Sequence, residues 1–158
     1  MSCLALTTLI FSGMSDEMVD NFVWILLQTS QQLKYPALMH LKFKFTNCIK
    51  VSPELIEVLP TITHLSFRSC NKAIHVLEII SKFKSDWEGI FAWLKLQALM
   101  ITPFDLEWIS PFCDFITTQI SIGLPLKGIS LSETDMEMLK SNEFLRNNVL
   151  IQMMGCDI

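Results

Sequence analysis

One spacing of apolar positions returns five times along the chain: apolar, two residues, apolar, one residue, apolar. It reads Leu6-x-x-Leu9-x-Phe11, Leu38-x-x-Leu41-x-Phe43, Ile62-x-x-Leu65-x-Phe67, Leu96-x-x-Leu99-x-Ile101 and Leu126-x-x-Ile129-x-Leu131. The last two apolar positions of each copy lie two apart, the period of a strand that buries one face. Steps between the central positions are 32, 24, 34 and 30 residues, an irregular period of the length that repeat architectures use. Pro36 and Pro60 stand two residues before the first apolar position of their copies, and Pro125 one residue before it. A residue with fixed φ and no N–H suits a loop that delivers the chain into a short strand.

Helical patterns fill the intervals. Ser15-Asp16-Glu17 offers a cap and first-turn acids ahead of Met18, Phe22, Val23, Leu26 and Leu27, predicting a helix from about residue 16 to 33. Ser52-Pro53-Glu54 predicts a helix of barely two turns through Leu55, Ile56, Val58 and Leu59. Asn71 can cap a run through Ile74, Leu77, Ile79 and Ile80. Thr102-Pro103 opens a segment from Phe104 to Ile109, with a second turn near Phe112 to Ile116. Ser132-Glu-Thr-Asp135 resembles a capping box with Asp in place of Glu, before Met136, Leu139 and Leu145.

A strand–helix unit of this size cannot bury its own apolar face, so neighbouring copies must stack. A doubly wound α/β domain would show the same alternation. The shared strand template favours a solenoid, as does a glycine count of 5 that spells no GxGxxG or phosphate loop. The expected fold is α/β: a short, irregular solenoid of about five strand–helix repeats, forming a single domain over residues 1–158.

The composition agrees with a packed domain, since Leu, Ile, Val and Phe supply 56 of 158 residues. Mean hydropathy is +0.41, yet no uncharged run reaches membrane-spanning length, so no membrane is expected. The apolar N-terminal stretch has no Lys or Arg ahead of it and makes a poor secretory signal. Cys3, Cys48, Cys70, Cys113 and Cys156 show no zinc spacing and read as reduced thiols of an intracellular protein, cytoplasmic or nuclear. A net charge of −4 argues against nucleic acid. The charge is uneven, however: Lys34 to Lys84 holds eight bases against three acids.

LMHLKF, ITHLSF, LQALMI and LKGISL resemble the leucine-rich repeat, and Cys70-Asn71 after Phe67 is similar to the Cys/Asn that ends its conserved half. With the irregular period and the P-x-L-x-x-L opening, the chain most resembles the repeat regions of fungal F-box-type proteins. Phe often replaces Leu here, and Asn is missing from most expected positions. The resemblance implies a protein-interaction module, comparable to the substrate-recognition region of a ubiquitin-ligase adaptor. No F-box-like segment precedes the first repeat, so Met1 reads as the start of a fragment of a longer protein. Uncapped solenoid ends would favour self-association.

If each copy forms a strand, the residues between its anchors share the concave face. The second and third copies place His40, Lys42 and Lys44 beside His64, Ser66 and Arg68, with no acid among them. These six residues are the candidate partner-binding site, a docking patch for an acidic or phosphorylated protein segment. The plainer reading is a solvated sheet face. His40 and His64 lack a third ligand, so neither metal nor cofactor is expected. His75 and Glu78, three apart on a helix, face solvent, while Asp105/Glu107 and Glu133/Asp135/Glu137 fall in helix first turns. Phe83, Trp87, Phe91 and Trp93 read as core filling or as a partner hot spot. No G-x-S-x-G elbow or HExxH motif occurs, and no catalytic residue is assigned. The competing classes are an α/β enzyme with an unrecognised site and a truncated chain without independent activity.

Overall fold

The computed structural model describes residues 6–29, 37–45, 59–71, 73–86, 96–123 and 126–155. Its strands are β1 (Thr8–Ser12), β2 (His40–Lys44), β3 (His64–Arg68), β4 (Ala98–Thr102), β5 (Gly128–Leu131) and β6 (Leu150–Met153). Its helices are α1 (Asp16–Thr29), α2 (Ala73–Asp86), α3 (Ile109–Ser121), α4 (Glu133–Lys140) and α5 (Glu143–Asn148), with a 3-10 turn at Leu106–Trp108. The six strands form one open, all-parallel sheet in sequence order, β1 through β6. No reversal of strand order interrupts it, so the sheet lacks the switch point at which doubly wound sheets open a crevice.

Register follows the repeated spacing. Leu9, Leu41, Leu65, Leu99 and Ile129 are successive partners across the sheet, as are Phe11, Phe43, Phe67 and Ile101. Except for half-buried Leu9 these side chains are buried, and Leu131 joins them in one core. Phe11, Phe43 and Phe67 form a ladder, with centroids 5.3 and 5.5 Å apart and rings tilted by 21° and 7°. Phenylalanine in place of leucine thus fills the core by stacking along the strand repeat of ~4.8 Å. The inward residues of the helices complete the core: Val19 and Val23 of α1, Ala73, Ile74, Val76, Leu77 and Ile80 of α2, Phe112, Phe115 and Ile116 of α3, Leu139 and Leu145.

The backbone repeats one device at the start of β1 to β4. The carbonyl of the residue before the strand accepts two N–H groups from the next copy: Thr7 O from Met39 and His40, Met39 O from Thr63 and His64, Thr63 O from Gln97 and Ala98, Gln97 O from Lys127 and Gly128. At the strand ends, Gly13, Phe45 and Ser69 have φ of 61°, 53° and 54°. Their N–H groups reach the last carbonyl of the neighbouring strand, on Lys44, Arg68 and Thr102 respectively. The fourth copy has Pro103 at this place, without an N–H to give.

Three local expectations change. The segment after β4 is a single 3-10 turn followed by a 13-residue helix. Asp105, whose side chain accepts from Glu107 N at 3.2 Å, sets the start, and Pro111 falls in the first turn of α3, where its missing N–H costs nothing. Phe112, Phe115, Ile116 and Gln119 are buried at helical spacing, which carries α3 past the expected turn. Ser132 caps α4 as predicted, accepting from Asp135 N at 3.3 Å. The Asp135 carboxylate, however, does not close the box. It accepts from Ser132 Oγ at 2.6 Å and from Phe104 N at 3.1 Å, tying α4 to the loop after β4. Finally, a sixth strand and the short helix α5, capped by Asn142, extend the array beyond the five copies. The predicted helix near residues 53–59 and the cluster of Trp87, Phe91 and Trp93 lie outside the described residues, as does the side chain of Phe83.

Candidate functional site

Strand alternation that buries the anchors leaves the intervening residues on the opposite face. All-parallel sheets are ordinarily covered on both faces. Here the described helices contribute to the core on one face, and on the other only Ser66 is buried, at 8% exposure. The open face therefore carries whatever the strands present between their anchors.

All six predicted site residues are brought together. His40 pairs with His64, Lys42 with Ser66 and Lys44 with Arg68. No carboxylate stands among the open-face residues of the six strands, and among the described residues Lys42, Lys44 and Arg68 make no salt bridge. The ion pairs His75–Glu78 at 3.1 Å and Lys140–Glu137 at 3.9 Å lie on the helices. Parallel strands at ~4.8 Å spacing hold Lys44 and Arg68 abreast, with Lys42 two residues along β2, where the cations repel one another unless an anion joins them.

The two imidazoles stack with centroids 4.3 Å apart and rings tilted by 22°. His64 Nδ1 lies 2.8 Å from the Thr63 hydroxyl. Burial pushes the His64 pKa below its usual value, and the positive fields of His40 and Lys127 push the same way. Lys127 Nζ is held by Gln97 Oε1 at 3.1 Å.

Beyond His64 the side chains shrink along the first row of the face: Ala98, then Gly128. A Cβ on Gly128 would approach the Leu150 carbonyl oxygen to 3.3 Å, a tight contact that the Leu150 backbone would have to relieve. A depression of about 330 Å³ opens on this face, lined among others by His40, Lys42, His64, Ala98, Met100 and Ser130. Ser66 Oγ donates to Met100 Sδ at 3.3 Å, and Gln152 Nε2 donates to Ser130 Oγ at 3.0 Å. Neither serine is hydrogen-bonded to an imidazole, and no lining residue is a carboxylate, so the described residues assemble no nucleophile–base–acid set. A larger depression, about 670 Å³, lies beside α5 and β6 and touches none of the predicted residues.

Lys127, Gln97 and Gln152 were not singled out by the sequence reading. The first two precede their strands by one residue and escape the anchor pattern, and Gln152 belongs to the sixth strand. Cys70 is buried, its Sγ near the carbonyl oxygens of Phe43 (3.5 Å) and Arg68 (3.4 Å). Half-buried Cys113 has its thiol pKa pushed up by burial and by Asp114. Among the described residues no group of three His, Cys, Asp or Glu side chains could hold a metal ion, and no helix is long and apolar enough to cross a membrane. Compared with protein-family models, curated proteins and solved structures, the chain matches none.

Proposed function

We propose that the chain is a protein-interaction module of leucine-rich-repeat type, and that the open face of β2 and β3 captures an acidic or phosphorylated segment of a protein partner. One observation carries the reading: Lys44 and Arg68 stand abreast, with Lys42 two residues along β2, on a sheet face that no described helix covers and without a carboxylate among them. Such a face lowers its own electrostatic cost by taking up an anion. Arg68 supplies the planar fork suited to carboxylate or phosphate, and the lysines add compact charges. The five-fold strand template and the carbonyl device repeated before β1 to β4 support the repeat architecture. In this reading the face does for its partner what the repeat region of an F-box-type adaptor does for a substrate, selecting it by a charged segment.

The test is fluorescence anisotropy with a labelled peptide rich in Glu and phosphoserine, titrated with the full chain. Lys42→Glu and Arg68→Glu are each expected to weaken binding about tenfold or more, since a charge-assisted hydrogen bond is lost and repulsion replaces it. Binding should also weaken as ionic strength rises from about 0.05 M to about 0.5 M. Lys140→Glu, on a helix of the covered side, should change little. Affinity indifferent to both salt and the open-face reversals would refute the proposal.

A further inference from the structure

The open face is not uniformly basic, and its gradient specifies more than charge. Along the Lys42 row, β2 to β5 present Lys42, Ser66, Met100 and Ser130; along the His40 row they present His40, His64, Ala98 and Gly128. Cations therefore occupy β2 and β3, whereas on β4 the depression is walled by Ala98 and Met100. We infer that the partner segment crosses the strands and carries an anionic residue over Lys42, Lys44 and Arg68 and, three residues away, an apolar residue in the hollow beside Met100. This rests on the charge-capture reading and names the chemistry of its partner.

The spacing follows from two dimensions. From Lys42 on β2 to Met100 on β4, in one row of the face, is two strand separations, about 9.6 Å at ~4.8 Å each. An extended segment in the polyproline II form rises ~3.1 Å per residue with three residues per turn, so positions i and i+3 lie on one side and about 9.3 Å apart. A segment laid across the strands in that form points both side chains at the sheet together. In a β conformation, i and i+3 would point to opposite sides. The apolar wall is small but suited to one side chain: the Ala98 methyl and the unbranched, adaptable Met100 thioether. The stacked imidazoles of His40 and His64 line the same depression on the β2 and β3 side.

Three fluorescein-labelled peptides of equal charge test this, each set in a Gly/Ser background. The first has Asp at i and Leu at i+3, the second Asp at i and Leu at i+1, and the third Asp at i with Ser in place of Leu. A parallel set carries phosphoserine instead of Asp, to separate a carboxylate from a phosphate requirement. The full chain is expected to bind the i, i+3 peptide about tenfold tighter than the other two, the effect of burying part of one leucine. Ala98→Leu fills the hollow from a half-buried strand position that lies outside the core. With folding confirmed by circular dichroism, it should erase the tenfold preference and leave binding of the Leu-free peptide unchanged. Equal binding of all three acidic peptides, reduced by Arg68→Glu, would overturn the spacing inference and leave the charge-capture reading standing. Failure of every acidic peptide in both sets to bind would overturn both.

Discussion

Replacing Phe43 by alanine probes the centre of the fold. Phe43 is fully buried at the middle rung of the Phe11–Phe43–Phe67 ladder. Burying an aromatic side chain removes roughly 150–250 Å² from water, which at ~25 cal/mol/Å² sets an upper bound of about 4–6 kcal/mol. Phe→Ala changes in packed cores cost ~3–5 kcal/mol, because the cavity collapses only partly. The expected loss is therefore ~3–5 kcal/mol, a large share of a stability that for a single domain is ~5–15 kcal/mol. Phe43→Leu keeps most of the volume and loses mainly the two stacking contacts, so ~1–2 kcal/mol is expected. Urea unfolding followed by far-ultraviolet circular dichroism reads both. With a slope near ~2 kcal/mol/M, Phe43→Ala should lower the midpoint by about 2 M and Phe43→Leu by less than about 1 M. Combined with Phe67→Leu, the leucine variant should show a coupling of ~0.5–1.5 kcal/mol. A Phe43→Ala midpoint within about 0.3 M of the parent, at unchanged slope, would refute the placement of the ladder in the core.

Two further outcomes follow from single contacts. Asp135→Ala removes the acceptor for Phe104 N–H and the partner of Ser132 Oγ, so ~1–3 kcal/mol should be lost, with faster amide exchange at Phe104 as the specific sign; an unchanged Phe104 rate would contradict the contact. Because His64 is held below its ordinary value near ~6.5, the unfolded chain takes up that proton first. Stability linked to neutral His64 is therefore present above that ordinary value and declines as pH falls through the lower folded-state value. Melting temperature should drop between about pH 7.5 and about pH 5.5, and His64→Gln should reduce that drop; equal drops would refute the shift.

Much of this architecture is legible because one physical requirement recurs. Each strand must bury two residues spaced by two, and the anchors Leu41/Phe43 or Leu65/Phe67 announce it. Once strands of one template stack in parallel, register follows, so the six site residues could be placed side by side from the sequence. The sixth strand escaped because Asn148 occupies the place of its first apolar anchor, and the edge residues Leu150 and Met153 are left exposed at 65% and 59%. The hollow was equally hidden, although Ala98 and Gly128 belong to rows that the spacing does give. A depression is made by missing side chains, which a spacing of apolar anchors does not register. Asp135 shows a third limit: its capping position is local, but the choice of Phe104 N–H as partner spans 31 residues. Sequence spacing reads contacts made by periodic backbone far better than those one side chain makes across the fold.

The central claim is that the uncovered face of the sheet, rather than the helical side, receives an acidic segment. Methyl-labelled methionine spectra test it directly, because Met100 lies on the open face while Met18 sits on α1, and Met136 and Met138 on α4. Titrated with the labelled acidic peptide, the full chain should show a shift of the Met100 methyl and of backbone amides in β2 and β3. Shifts confined to Met18, Met136 and Met138, with Met100 and the two strands unmoved, would contradict the account.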